Sequence, residues 1–232
     1  MSVDTAVFSL AVDGGTLPVH RWLPESGSGP GIVLVQEIFG VSPYIRDRAA
    51  ELAAAGYVVD VPDLYWRLDE PPLDESGPDV LSQAMARMQR LPWADAVADT
   101  AAAVRRLRGD DAVVGKVGLV GFCYGGGLAF AVAAGEPVDA LVSYYGSALP
   151  NLLELAPAVT TPSLHHFGEA DSFIPIDVVG QVRDAVDRDG VEFHTYPGAD
   201  HAFDNPRPEF HHPEASALAW ERTLEFLDRQ LH

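Results

Sequence analysis

The sequence predicts an α/β fold: a mostly parallel sheet with helices on both faces, preceded by an N-terminal hairpin. Three observations predict it. From Gly31 onward, short apolar runs alternate with amphipathic helical stretches. One of those runs passes through a glycine-rich turn, Gly121-Phe122-Cys123-Tyr124-Gly125-Gly126, into a second apolar stretch of helical length. The chain has 232 residues, 47% of them apolar, which suffices for one full core. No linker, repeat or shift in composition divides it, so residues 1–232 read as a single domain.

Taken in order, Phe8–Val12 and Leu17–Trp22 flank Asp13-Gly14-Gly15 and read as a hairpin, with Pro18 suggesting a sheet edge. Residues 31–35 form a wholly apolar run, the pattern of a strand buried on both faces. A helix is expected over residues 43–55, with Ile45, Ala49, Leu52 and Ala53 on one face and Gly56 at its end. A strand at Tyr57–Val61 stops at Pro62. Residues 67–79 are rich in Pro, Asp and Glu and read as an exposed loop. Helical patterns follow at 79–90 and 94–108, the second with a stripe of Val97, Ala101, Val104 and Leu107. Strands are then expected at 116–120, 138–144, 163–167 and 191–196, with a helix near 175–188. The closing helix starts at Pro213 and should bury Ala217, Trp220, Leu224 and Leu227.

Strand, tight turn and helix with Gly-x-Cys-x-Gly at the turn is a nucleophile-elbow pattern carrying cysteine in place of serine. Such a turn needs small residues two positions either side of the nucleophile, and Gly121 and Gly125 supply them. A lone cysteine among apolar residues is more often inert core, and a glycine-rich turn can be a phosphate loop. This one lacks the Lys-Ser/Thr that a phosphate loop requires.

Two further residues change the balance. Asp171 and His201 each follow an expected strand, and ligands of such sheets bind where parallel strands end. The chain order of nucleophile, acid and histidine is that of the α/β-hydrolase fold. His201 can move the proton, Asp171 can fix the imidazole tautomer, and Cys123 can form a thioester. Asp171 could instead cap the next helix, and Asp200 could take its place beside His201. Backbone N–H groups of Tyr124 and Ile38 are the candidates for an oxyanion hole. Glu37 is a carboxylate at the end of an apolar strand, facing the same site.

Composition narrows the field. The net charge of −19, from 34 acids against 15 bases, repels phosphate backbones and argues against a nucleic-acid partner. One cysteine permits neither an internal disulfide nor a cysteine-built metal site. His165-His166 lie in an expected strand and face opposite ways, so they cannot chelate together. His211-His212 have no matching ligand cluster, and neither a metal nor a cofactor is expected. Met1–Thr5 show no signal-peptide pattern, and no apolar run is long enough to span a membrane. A reducing cytoplasm, no membrane, a small-molecule substrate and a monomer or small homo-oligomer are the expectations.

Several segments together resemble the dienelactone hydrolase (carboxymethylenebutenolidase) family. They are residues 36–41 (Gln-Glu-Ile-Phe-Gly-Val), 62–65 (Pro-Asp-Leu-Tyr), 116–126, 144–146, 168–171 and 197–203. The resemblance spans nearly the whole chain. It implies hydrolysis of lactones or esters by Cys123, His201 and Asp171, with Glu37 interacting with the resting thiol. It also implies two arginines that hold a substrate carboxylate, and these are not in place. The helix that should carry one has Leu81, Ser82, Gln83, Ala84 and Met85, and the other position holds Asn205. Arg87 and Arg207 are near in sequence but out of step. Met85 and Met88 stand where the family has aromatic residues. Met85, Met88, Phe39, Phe203 and Asn205 are therefore the substrate-pocket candidates, in a pocket suited to more apolar esters. The alternative on the same fold is a ligand-binding or thiol-sensing protein without turnover.

Overall fold

The apolar run at residues 31–35 is fully buried at the centre of the molecule, as a strand covered on both faces must be. The structure is a computed structural model that describes residues 6–232; Met1–Thr5, where the sequence shows no signal pattern, lie outside the described residues. Eight strands form one sheet: β1 (Ala6–Val12), β2 (Gly15–Trp22), β3 (Gly29–Val35), β4 (Val58–Pro62), β5 (Val113–Phe122), β6 (Ala140–Tyr144), β7 (Ser163–Gly168) and β8 (Val191–Tyr196). Their spatial order is β1-β2-β4-β3-β5-β6-β7-β8. β1 and β2 pair antiparallel, β2 pairs antiparallel with β4, and all later neighbours are parallel. The chain leaves β3 for β4 on one side and returns to β5 on the other. The ends of β3 and β5 therefore flank the switch point where such sheets bind ligands.

β1 is the outer strand of the hairpin, and Pro18 sits one strand further in, on β2. It is tolerated there because β2–β4 pairing stops at Val19 and Pro62. The Pro18 carbonyl accepts from the Asp63 N–H (2.9 Å), so the missing proline N–H, on the same side, faces past the end of that ladder.

Among the described residues the α-helices are α1 (Pro43–Ala54), α2 (Val80–Arg90), α3 (Trp93–Arg108), α4 (Tyr124–Ala133), α5 (Ile176–Val186) and α6 (Pro213–Leu231). α1 is capped by the Ser42 hydroxyl, buries Ile45, Ala49, Leu52 and Ala53, and is followed by Gly56 in the left-handed region (φ 107°). α4 is buried along its whole length.

Two helix faces differ from the expected ones. On α3 Val104 and Leu107 are buried, but Val97 and Ala101 are only half-buried; Asp99 and Thr100 face inward instead. The cause is a buried ion pair: the Asp99 carboxylate takes bonds from the Arg67 guanidinium (2.7 and 2.8 Å) and the Trp66 indole N–H (2.9 Å). On α6 Ala217 is exposed, and Trp220 and Leu224 are half-buried, while Ser216, Ala219, Thr223 and Phe226 join Leu227 inside. Hydrogen bonds turn the helix: Thr223 meets the Tyr144 hydroxyl (2.6 Å) and His166 (3.1 Å), and Ser216 meets Asp204 (2.7 Å). Trp220 is left at the border, under the Arg48 guanidinium (4.2 Å).

His165 and His166 are both fully buried, one against Phe130 of α4 and the other against Thr223 of α6, on opposite layers. Among the described residues no group of three or more His, Cys, Asp or Glu is placed to hold a metal ion, and no helix is long and apolar enough to cross a membrane.

Candidate active site

Cys123 begins α4 with φ 52°, a left-handed conformation that a non-glycine residue holds only when its surroundings enforce it. The enforcement is visible. A Cβ on Gly121 would lie 2.1 Å from the Gly125 carbonyl oxygen, and one on Gly125 would lie 2.4 Å from that of Gln36. The Cys123 N–H donates to Tyr144 (3.0 Å), and its carbonyl accepts from Gly126 and Ser147 (3.0 and 3.1 Å). The side chain is thus lifted clear of β5 and held on a rigid turn.

The sulfur lies 3.1 Å from Nε2 of His201, and Nδ1 of His201 lies 2.8 Å from Oδ2 of Asp171. All three residues are buried. Oδ1 of Asp171 accepts from the N–H groups of Phe173 and Ile174 (both 2.8 Å), so this carboxylate both holds the imidazole and caps the turn that follows. Asp200 serves backbone instead: its Oδ1 accepts from Ser172 (2.7 Å) and His201 (2.6 Å), tying the two loops together. Rings of Tyr145 and Phe173 flank the imidazole at 5.2 and 5.1 Å.

The electrostatics follow from this chain of contacts. Burial alone would lower the His201 pKa; the adjoining sulfur and the Asp171 carboxylate outweigh it and raise it to about 10. Burial likewise works to raise the Cys123 thiol. The imidazolium and the N–H of Tyr124 hold it below its ordinary value, so proton sharing favours thiolate and imidazolium.

Glu37 is buried at the end of β3, and its Oε1 accepts from Nδ2 of Asn205 (2.9 Å). Burial first, and then the neighbouring sulfur, push this carboxyl well above its ordinary pKa. The resemblance implies a contact between this carboxyl and the thiol; here the thiol faces the imidazole and the carboxyl is held by Asn205.

The residues after Glu37 are tied back on one side. Gly40 N–H donates to the Glu37 carbonyl (3.1 Å), the Tyr65 hydroxyl to the Ile38 carbonyl (2.8 Å), and the Gln36 side chain accepts from Leu64 N–H (3.0 Å). The Ile38 N–H, trans to the bound Glu37 carbonyl, therefore points the opposite way. The N–H of Tyr124 bonds the Cys123 sulfur, and Ile38 lines the same cavity as Cys123.

A cavity of about 460 Å³ opens over these groups. Phe39, Met85 and Met88 line it, as the sequence suggests. Phe203 and Asn205 do not. Phe203 is fully buried against Tyr145 and Tyr196, and Asn205 lies beneath Glu37. Ala202 explains both: its left-handed backbone (φ 57°) turns the chain under the site directly after His201. Sequence reasoning missed Leu91, Trp93, Phe173, Ile174 and Phe210 on the walls. Phe173 had a signal, since it lies two residues beyond Asp171. No Lys or Arg lines the cavity. Arg87 bonds Glu70 (3.1 Å) and the Pro71 carbonyl (2.8 Å), and Arg207 bonds Glu209 (2.8 Å). A larger, charged cleft of about 660 Å³ lies across Phe39 and takes in Arg87 and loop residues 69–73; it contains none of the three reactive groups.

The model of the dienelactone hydrolase family matches residues 19–231. The chain belongs to that family. Among its relatives, the carboxymethylenebutenolidase of Pseudomonas putida is 37% identical over 217 residues, covering 93% of this chain and 92% of the relative. Carboxymethylenebutenolidase 1 of Cupriavidus pinatubonensis is 33% identical over 216 residues, covering 92% of each. A dienelactone hydrolase-like promiscuous phosphotriesterase from metagenomic libraries superposes with a TM-score of 0.81 at 22% identity, covering 98% of both chains, and shows the fold alone. As a member of the dienelactone hydrolase family this protein is a hydrolase with the α/β-hydrolase fold.

Proposed function

We propose that this dienelactone hydrolase-like protein cleaves carboxylic esters or lactones through Cys123, His201 and Asp171, with a thioester acyl-enzyme. The observation that carries the reading is the continuous contact from Asp171 through His201 to the sulfur, at 2.8 and 3.1 Å, with the sulfur on a strained turn.

Each step has a group assigned to it. The Cys123 thiolate attacks the substrate carbonyl carbon, and the carbonyl π electrons move to oxygen. That oxyanion accepts from the N–H groups of Ile38 and Tyr124. As the tetrahedral species collapses, the C–O bond to the leaving group breaks and Nε2 of His201 gives its proton to the departing oxygen. Asp171 holds the imidazole tautomer throughout. Water then attacks the thioester, His201 takes its proton, and collapse expels the thiolate and releases the acid. The apolar walls and the missing arginines make the pocket differ from one built for an anionic lactone.

The test is initial-rate hydrolysis of phenyl acetate and of a dienelactone by the protein and its Cys123→Ala variant, with mass spectrometry of the quenched enzyme. A loss of at least about 10³-fold in kcat, with an acyl adduct found on Cys123 only in the wild type, is expected. Wild-type rates in Cys123→Ala would end the proposal.

A further inference from the structure

We infer that the site takes uncharged esters in two apolar halves, the acyl group between Met85, Met88 and Trp93, and the leaving alcohol across Phe173 at the mouth. This rests on the hydrolase reading above and assigns each half of the substrate to a wall.

The direction of the chemistry sets the assignment. The leaving oxygen takes its proton from Nε2 of His201, so the alcohol half must lie on the imidazole side. Phe173 is the wall there, its ring 5.1 Å from the His201 ring. The turn that presents it is anchored by the bond from its own N–H to Asp171 (2.8 Å). The opposite wall comes from α2 and α3. Trp93 packs edge-on to the Tyr124 ring at 5.5 Å, and Met85 and Met88 lie on the adjoining helix. That half is left for the acyl group.

Charge and exposure fix the chemical class. Among the described residues no Lys or Arg lines the cavity, and the His201 imidazolium is engaged by the sulfur and by Asp171. A carboxylate on the substrate would lose its hydration with no free counter-charge to replace it. The mouth, by contrast, is apolar. Phe173 is 61% exposed and Leu81 42%, and both line the cavity. A group of exposed apolar side chains gathered on a cavity rim marks a surface that a ligand covers.

The experiment measures kcat/KM for ethyl, butyl and hexyl acetate, for ethyl acetate and ethyl hexanoate, and for ethyl hydrogen adipate, in which a carboxylate replaces the terminal methyl of the hexanoate. Wild type should gain roughly threefold per methylene on either side, and should prefer ethyl hexanoate over ethyl hydrogen adipate by at least about thirtyfold. Phe173→Ala should cut the hexyl-to-ethyl acetate ratio at least about threefold while the hexanoate-to-acetate ratio holds. Met85→Lys should move the adipate-to-hexanoate ratio up at least about tenfold. Flat chain-length series, or adipate turned over as fast as hexanoate, would overturn the inference while leaving the hydrolase reading standing. No turnover of any ester would overturn both.

Discussion

The Tyr65 hydroxyl donates to the Ile38 carbonyl across 2.8 Å, so a residue on the turn after β4 braces the peptide next to a candidate oxyanion donor. Removing an oxyanion donor outright costs about 10²–10³ in kcat, and loosening one costs less. Tyr65→Phe keeps the ring under the Arg87 guanidinium and removes only the hydroxyl. The variant should lose about five- to tenfold in kcat with KM nearly unchanged, because the brace matters most when charge develops on the substrate oxygen. Steady-state kinetics on phenyl acetate checks this. A rise in KM at constant kcat would place Tyr65 in substrate binding instead.

The sulfur–imidazole contact makes a prediction about pH. The thiol is held below its ordinary value, so thiolate persists to lower pH than in an ordinary cysteine and is lost as pH falls through that depressed value. Without the imidazolium, only the Tyr124 N–H and Ser147 oppose burial, and the thiol moves upward. In His201→Asn, alkylation of Cys123 by iodoacetamide at pH 7 should slow at least about tenfold, and its rate profile should move to higher pH. Profiles that superimpose would show that His201 does not set the state of the thiol.

The elbow was legible in the sequence because its demand is local and steric: only glycine fits at 121 and 125, and the spacing records it. The order of Cys123, Asp171 and His201 was legible for a similar reason, since each residue lies in the segment that follows a parallel strand, β5, β7 and β8 in turn. The surroundings of the site were harder. Phe203 and Asn205 follow His201 closely, but one left-handed residue, Ala202, sends them beneath the site, and nothing in residue type announces that turn. The faces of α3 and α6 were read from apolar spacing alone. They are set by Asp99 and Thr223, whose partners lie 32 or more residues away in the chain.

Asp204 is a further case in which distant partners fix a role. Its buried carboxylate takes two bonds from Arg48 on α1 (2.6 and 2.9 Å), one from the Tyr44 hydroxyl (2.5 Å) and one from Ser216 on α6 (2.7 Å). It thereby fastens the segment after His201 to two helices. Breaking a buried pair by removing one partner leaves the other charge uncompensated and costs about 3–5 kcal/mol. Asp204→Ala should lose about that much stability in urea unfolding, and Asp204→Asn, which keeps part of the hydrogen bonding, should lose less. A loss below about 1 kcal/mol would mean that Arg48 finds water or another partner without penalty.

Glu37 gives a prediction whose sign can be worked through. Burial raises its folded-state pKa well above the ordinary value near 4.5, so folding takes up a proton at this carboxyl once pH exceeds that value. A group raised in this way contributes stability that is fully present below the unfolded pKa and is lost as pH rises through the folded one. Glu37→Gln is neutral at every pH, and its side-chain oxygen can still accept from Asn205. The stability of the variant relative to wild type should therefore grow with pH by about 1.4 kcal/mol per unit, from near pH 5 up to the raised value. Urea unfolding of both proteins at pH 5, 6 and 7 measures this. A constant difference across those three values would mean that Glu37 is ionised in the folded protein. Its carboxylate would then stand near Cys123 as a like charge and oppose the thiolate, which would depend more on the His201 imidazolium.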